Sequence, residues 1–142
     1  MVLKPEYSVS RALCIGINEY KSKRCSPLGY AVNDAEAVAE ILMQKFGFQS
    51  EDVCVLKDKL ATREAISSAF LRFASSDVDE NDRVLIFFAG HGYTQLGHRG
   101  EVGFLVPHDG DPEQLSRLIR WDELTRNAEL KEEKHHQPLG VL

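Results

Sequence analysis

The stretch Asp82 to Tyr93, DRVLIFFAGHGY, places a histidine between two glycines at the end of an apolar run. His91 is the side chain here best suited to proton transfer, because imidazole titrates near neutral pH without perturbation. Gly90 and Gly92 have no side chains to crowd an approaching ligand, and an unblocked N–H at Gly92 can face a reacting carbonyl oxygen. A lone histidine in such a loop is also a common turn residue, and the flanks favour the chemical reading.

An element must carry this group. Val84 to Ala89 is unbroken, β-branched and aromatic, which predicts a strand buried on both faces of a helix-covered parallel sheet. In such sheets working residues sit just beyond the carboxyl ends of strands. Arg11 to Asn18 (RALCIGIN) and Asp52 to Lys57 (DVCVLK) are predicted as two further strands. Between them Glu19 to Gly29 is a loop, and Asn33 opens a helix with Glu36 as the second half of a capping box. Ala35, Val38, Ala39, Leu42, Met43 and Phe46 form its apolar face. Thr62 caps a second helix with Ala65, Ile66, Ala69, Phe70 and Phe73 inward. Right-handed crossovers then bring Asn18 to Tyr30 and Gly90 to His98 to the border of one cleft. Beyond it, Val102 to Pro107 reads as extended, Asp109 to Pro112 as a turn, and a helix begins near Trp121.

The 142 residues make one domain, with 43% hydrophobic and 27% charged residues, as in ordinary globular proteins. A net charge of −5 without a basic cluster argues against a nucleic-acid surface. No apolar run approaches the about 18 residues of a membrane span, and the start lacks a signal-peptide core, so no membrane contact and a cytoplasmic location are expected. Cys14, Cys25 and Cys54 form no even disulfide set and no metal-ligand spacing. Cys14 and Cys54 fall in strand patterns and should be packed, whereas Cys25 lies in a polar loop and should be the reachable thiol. No metal site or cofactor is expected: Asp109 and Asp111 alone are too few for calcium, which takes about six to eight oxygens.

The succession RALCIGINEY, LGYAVNDAEAVAEIL, DRVLIFFAGHGY, GFLVPHDG and WDELTRNAEL resembles the N-terminal part of the caspase-like cysteine peptidases, the caspase and metacaspase group. The resemblance covers residues 11–130, after a lead-in of 1–10 and before a tail of 131–142. It implies a three-layer α/β fold, Rossmann-like, with a mostly parallel sheet flanked by helices and incomplete at its C-terminal side. It implies that His91 is the catalytic histidine of a His–Cys dyad and that Gly92 supplies a backbone oxyanion donor. Asp34 matches an acidic position that in metacaspases lines the pocket for a substrate Arg or Lys. In the first turn of a helix a carboxylate is also favoured by the dipole alone, and Lys23 or Arg24 nearby would oppose a basic substrate.

The family's nucleophile stands in an Asp-x-Cys-x-Gly setting at the end of the next strand, and from Lys131 (KEEKHHQPLGVL) that pattern is left. The tail is expected to be too short for another strand and helix. Cys25 is on the right rim, yet nothing in the sequence brings it to His91. The expected protein is therefore a half-domain with its histidine but not its nucleophile, inactive alone, acting on a peptide or protein substrate only if complemented. Its Val84 to Ala89 edge should pair with another copy, a C-terminal fragment or the segment near Val102, or else drive aggregation. The alternatives are a pseudo-enzyme or interaction module that binds an intact caspase-like partner and, ranked last, a flavodoxin-like nucleotide domain. For the last, IGINEY stands where a Gly-rich phosphate loop belongs.

Overall fold

A computed structural model of the chain describes residues 9–74, 81–124 and 140–141. Strand β1 (Ser10–Gly16) is followed by helix α1 (Ala31–Lys45), strand β2 (Val53–Lys57), helix α2 (Arg63–Ala74) and strand β3 (Arg83–Ala89). These form a parallel sheet in the order β2-β1-β3, with Leu13 beside Cys54 and Ile86, and Gly16 beside Ala89. The first crossover leads to one side of β1 and the second to the other, so crossovers of a common hand set the two helices on opposite faces. The α/β class and the parallel central sheet are those expected from the sequence.

Alternation along β1 divides the core. Leu13, Ile15 and Ile17 pack with Ile66, Ala69 and Phe70 of α2 and with Val84 and Ile86. Ala12 and Cys14 face Ala35, Ala39 and Leu42 of α1 and Phe48. On β3 only Val84 and Ile86 are fully buried, while Leu85 and Phe87 are half-buried beneath α1. Thr62 caps α2 as expected, its Oγ1 accepting the Ala65 N–H at 3.1 Å.

Helix α1 departs from expectation. It begins at Ala31, not Asn33, and its first turn has no local side-chain cap. Instead the Val32 N–H donates to Asn18 Oδ1 at 3.2 Å, from the end of β1. A cap from the sheet takes the place of the capping box and ties the helix start to the rim. Met43 and Phe46, expected inward, are 37% and 54% exposed because the sheet reaches only Ala31, Ala35, Ala39 and Leu42.

The second correction follows His91. Residues expected as a cleft loop form strand β4 (Gly92–Gly97), which returns through His98 and Arg99 into β5 (Gly100–Leu105), and β5 also pairs with the short β6 (Ile119–Arg120). The segment near Val102 is thus committed to this antiparallel sheet and does not cover β3. The third correction concerns the tail: Gly140–Val141 forms a two-residue strand, β7, parallel to Leu85 and Ile86. The tail does supply this two-residue strand, since an open strand edge offers unpaired N–H and C=O groups to backbone laid alongside it. Helix begins at Trp121 as expected and is described through Leu124.

Candidate active site

The carboxyl ends of β1 and β3 meet where Ile17 donates its N–H to the Ala89 carbonyl at 3.0 Å. From here the chain leaves β1 as a loop fixed at several points. Asp58, with a φ of 46°, accepts the N–H groups of Asn18 and Glu19 on one oxygen at 2.8 and 3.1 Å. The Lys21 N–H donates to the His108 carbonyl at 3.0 Å, and His108 Nδ1 lies 2.6 Å from the Glu19 carbonyl. The Leu28 N–H closes the loop onto the Asn18 carbonyl at 2.8 Å. These bonds hold an irregular segment in one shape.

His91 faces this loop. Its Nε2 lies 2.7 Å from the Ser26 carbonyl oxygen, its backbone N–H lies 2.7 Å from the Tyr20 hydroxyl, and the two rings meet edge-on with centroids 5.0 Å apart. A carbonyl oxygen can only accept, so Nε2 must carry a proton. In the neutral ring the lone pair then stands on Nδ1. The loop thus selects the tautomer and orients the ring, leaving the Nδ1 lone pair free of this bond. Burial pushes the Tyr20 hydroxyl up to about 12, so it stays a neutral partner of the His91 amide. A Cβ on Gly90 would lie 2.6 Å from the Tyr20 oxygen, so any side chain there requires the tyrosine to move.

Gly92 opens β4. The Val106 N–H donates to the His91 carbonyl at 3.0 Å, which makes Gly92 and Leu105 a non-hydrogen-bonded pair. The Gly92 N–H therefore points away from β5. Asp34 is exposed in the first turn of α1, and among the described residues its carboxylate makes no ion pair. Arg24 is neutralised by Glu113 at 2.9 Å and Asp111 at 3.7 Å, while Lys23 is exposed. Asp109 Oδ1 accepts the Arg63 N–H at the start of α2, at 2.9 Å.

The cysteines correct two expectations. Cys25, expected to be reachable, is buried with Phe104, Val106 and Leu118, and its thiol is pushed up by burial and then by Asp111. The polar loop covers it because its own backbone packs down on the β5 side. Cys14 is fully buried and pushed up to about 11 by burial and then by Cys54. Cys54, expected to be packed, does pack against the core around Leu13 but is only half-buried, since β2 is an edge strand. It pairs with Leu13, three residues below the rim. No hydrogen bond joins any of these thiols to the His91 ring among the described residues.

Sequence reasoning did not single out Tyr20, Ser26, Asn18, Asp58 or His108. Tyr20 closes the IGINEY segment and was legible as a residue at the rim, but a backbone carbonyl such as that of Ser26 leaves no mark in a sequence. No group of three metal-ligating side chains occurs among the described residues, and none of their helices is long and apolar enough to cross a membrane.

Comparison with known proteins agrees with this architecture. The caspase domain family matches residues 9–132. Metacaspase-1 of Cryptococcus neoformans is 34% identical over 88 residues, covering 58% of this chain and 19% of that protein. Metacaspase-7 of Arabidopsis thaliana is 30% identical over 112 residues, covering 72% of this chain and 27% of that protein. The chain therefore spans about a fifth to a quarter of the length of these relatives. A crystal structure of protein GSU0716 from Geobacter sulfurreducens superposes with a TM-score of 0.67 at 24% identity, over 84% of this chain and 44% of that one, a likeness of fold. With a family match across nearly all of the described strands, the chain belongs to the caspase domain family.

Proposed function

We propose that this chain is the N-terminal part of a caspase-like cysteine endopeptidase unit, carrying the catalytic histidine but dependent on a thiol from elsewhere. The observation that carries this is the 2.7 Å bond from His91 Nε2 to the Ser26 carbonyl. It leaves Nδ1 to take a proton from a cysteine thiol. The resulting thiolate attacks the peptide carbonyl, and the imidazolium returns the proton to the leaving amine as the C–N bond breaks. Water then hydrolyses the thioester. The outward Gly92 N–H is suited to donate to the oxygen on which charge develops. Asp34, exposed and unpaired among the described residues, is suited to hold a substrate Arg or Lys.

Burial and raised pKa values weigh against Cys25 and Cys14 as nucleophiles, and Cys54 lies away from the rim. Without a thiol at His91 the chain alone is inactive, by about a million-fold if comparable hydrolases are a guide. The missing strand belongs beside β3, where β7 pairs with only Leu85 and Ile86. That partly covered edge also supports a second reading, a module that offers the same half-sheet to an intact caspase-like partner. No cofactor enters either reading.

Peptide amides ending in Arg, Lys or Asp, incubated with the chain alone and with a separately supplied C-terminal segment of a metacaspase catalytic unit, test this. Turnover of the Arg or Lys amides only on complementation, lost in His91→Ala and reduced in Asp34→Asn, is expected. Turnover by the chain alone that vanishes in Cys25→Ala would overturn the assignment, and stable binding without turnover would favour the interaction module.

A further inference from the structure

Strand β4 carries a feature that the dyad chemistry does not use. It is the outer strand of the β4-β5-β6 sheet, and all six of its residues are exposed, Leu96 at 80%. The ladder to β5 fixes which way its backbone groups point. The bond from Val106 N–H to the His91 carbonyl puts the hydrogen-bonded positions at His91, Tyr93, Gln95 and Gly97. Gly92, Thr94 and Leu96 are then the alternate positions, opposite Leu105, Gly103 and Glu101, and their N–H and C=O groups turn outward.

A row of donors and acceptors at two-residue spacing is complementary to one kind of ligand, another extended polypeptide backbone. We propose that this outer edge, Gly92 to Leu96, seats the part of a polypeptide substrate that runs away from the bond being cut, as an added β-strand. The proposal rests on the reading of His91 and Gly92 as catalytic. The same edge that presents the oxyanion donor continues without interruption into Thr94 and Leu96, so one strand of substrate can meet all three. Beside the hairpin, Gln95, Leu96, Val102, Phe104, Leu115 and Arg120 line a hollow of about 470 Å³. Apolar side chains of the added strand would lie beside it.

A second copy of the chain is a poorer occupant. An edge of six residues is about 20 Å long, and two such edges paired together bury far less than the about 1,200 Å² of a stable interface. A substrate needs no such area, because it is held at the reacting bond as well.

The test uses the whole 142-residue chain, isotopically labelled, and a hexapeptide amide with a central Arg followed by apolar residues. Expected are shifts of the Gly92, Thr94 and Leu96 amide signals on titration, together with those of His91 and Asp34. A peptide N-methylated at alternate residues after the Arg should bind about tenfold more weakly, the worth of one or two net hydrogen bonds. This variant leaves the protein untouched, so no folding defect can mimic the result. Shifts at His91 and Asp34 without any on β4, or equal affinity for the methylated peptide, would overturn the docking edge while leaving the catalytic reading in place. Concentration-dependent dimerisation through β4 in the absence of peptide would assign the edge to a second copy and also overturn it. The absence of any shift would count against both.

Discussion

The backbone N–H of His91 lies 2.7 Å from the hydroxyl oxygen of Tyr20, and the Tyr20 ring meets the imidazole edge-on. The tyrosine leaves β1 and the histidine leaves β3, so this contact joins the two strand ends that border the site. Tyr20→Phe keeps the ring and removes the acceptor, leaving a half-buried N–H unpaired. We expect a loss of about 1–2 kcal/mol in denaturant unfolding, and a broadened or displaced His91 amide signal. An unchanged midpoint would show that the hydroxyl does not hold the amide.

The same residue sets a pH dependence. Burial raises Tyr20 from 10.0 to about 12, so the folded state holds the phenol proton more tightly than the unfolded chain. Its contribution to stability is complete below pH 10 and is lost as pH rises toward 12. Wild type should therefore lose more stability than Tyr20→Phe across that interval, the buried thiols being common to both. Parallel curves in pH-dependent unfolding would contradict the shift.

Gly90→Ala should be worse than Tyr20→Phe. Its Cβ would stand 2.6 Å from the Tyr20 oxygen and 3.1 Å from the Phe88 ring. Either the tyrosine or the strand end must move, which costs about 1–3 kcal/mol for an overpacked site. Loss of the Tyr20–His91 ring contact, read from nuclear Overhauser effects, distinguishes displacement of the tyrosine from general unfolding.

Gly16→Ala probes the other side of the rim. A Cβ there would lie 2.5 Å from the Ala31 carbonyl and 2.8 Å from Ala35 Cβ. Helix α1 must shift outward, taking Asp34 with it and stretching the cap bond from Val32 to Asn18, and a destabilisation of about 2–3 kcal/mol is expected. Thermal unfolding measures it, and a value within 0.5 kcal/mol of wild type, about the scatter of surface substitutions, would show that the helix is not seated on this glycine.

Alkylation should rank the thiols as Cys54 first, with Cys25 and Cys14 reacting only on unfolding. Cys54 is half-buried on an edge strand, whereas the other two are buried and have raised pKa values. Mass spectrometry after brief iodoacetamide treatment reads the order. Rapid native modification of Cys25 would reopen its candidacy as a nucleophile.

Much of this protein was legible in its residues. The apolar runs at Arg11, Asp52 and Val84 marked three strands to within two residues, and Thr62 marked the start of α2, because burial on a sheet and a local cap are short-range demands. The position of His91 just past β3 followed from the same run. The tertiary structure alone decided the remainder. The start of α1 is set by Asn18, thirteen residues before Ala31, and no local pattern encodes a cap that distant. The stretch GYTQLG has no apolar alternation because β4 is exposed on both faces, so its strand character comes from pairing with β5 and not from burial. Cys25 sits in a polar sequence yet under a closed loop, and the His91 tautomer depends on a backbone carbonyl of Ser26. Residue type and spacing report what a segment must bury; which distant backbone group it meets is set only when the strands are brought side by side.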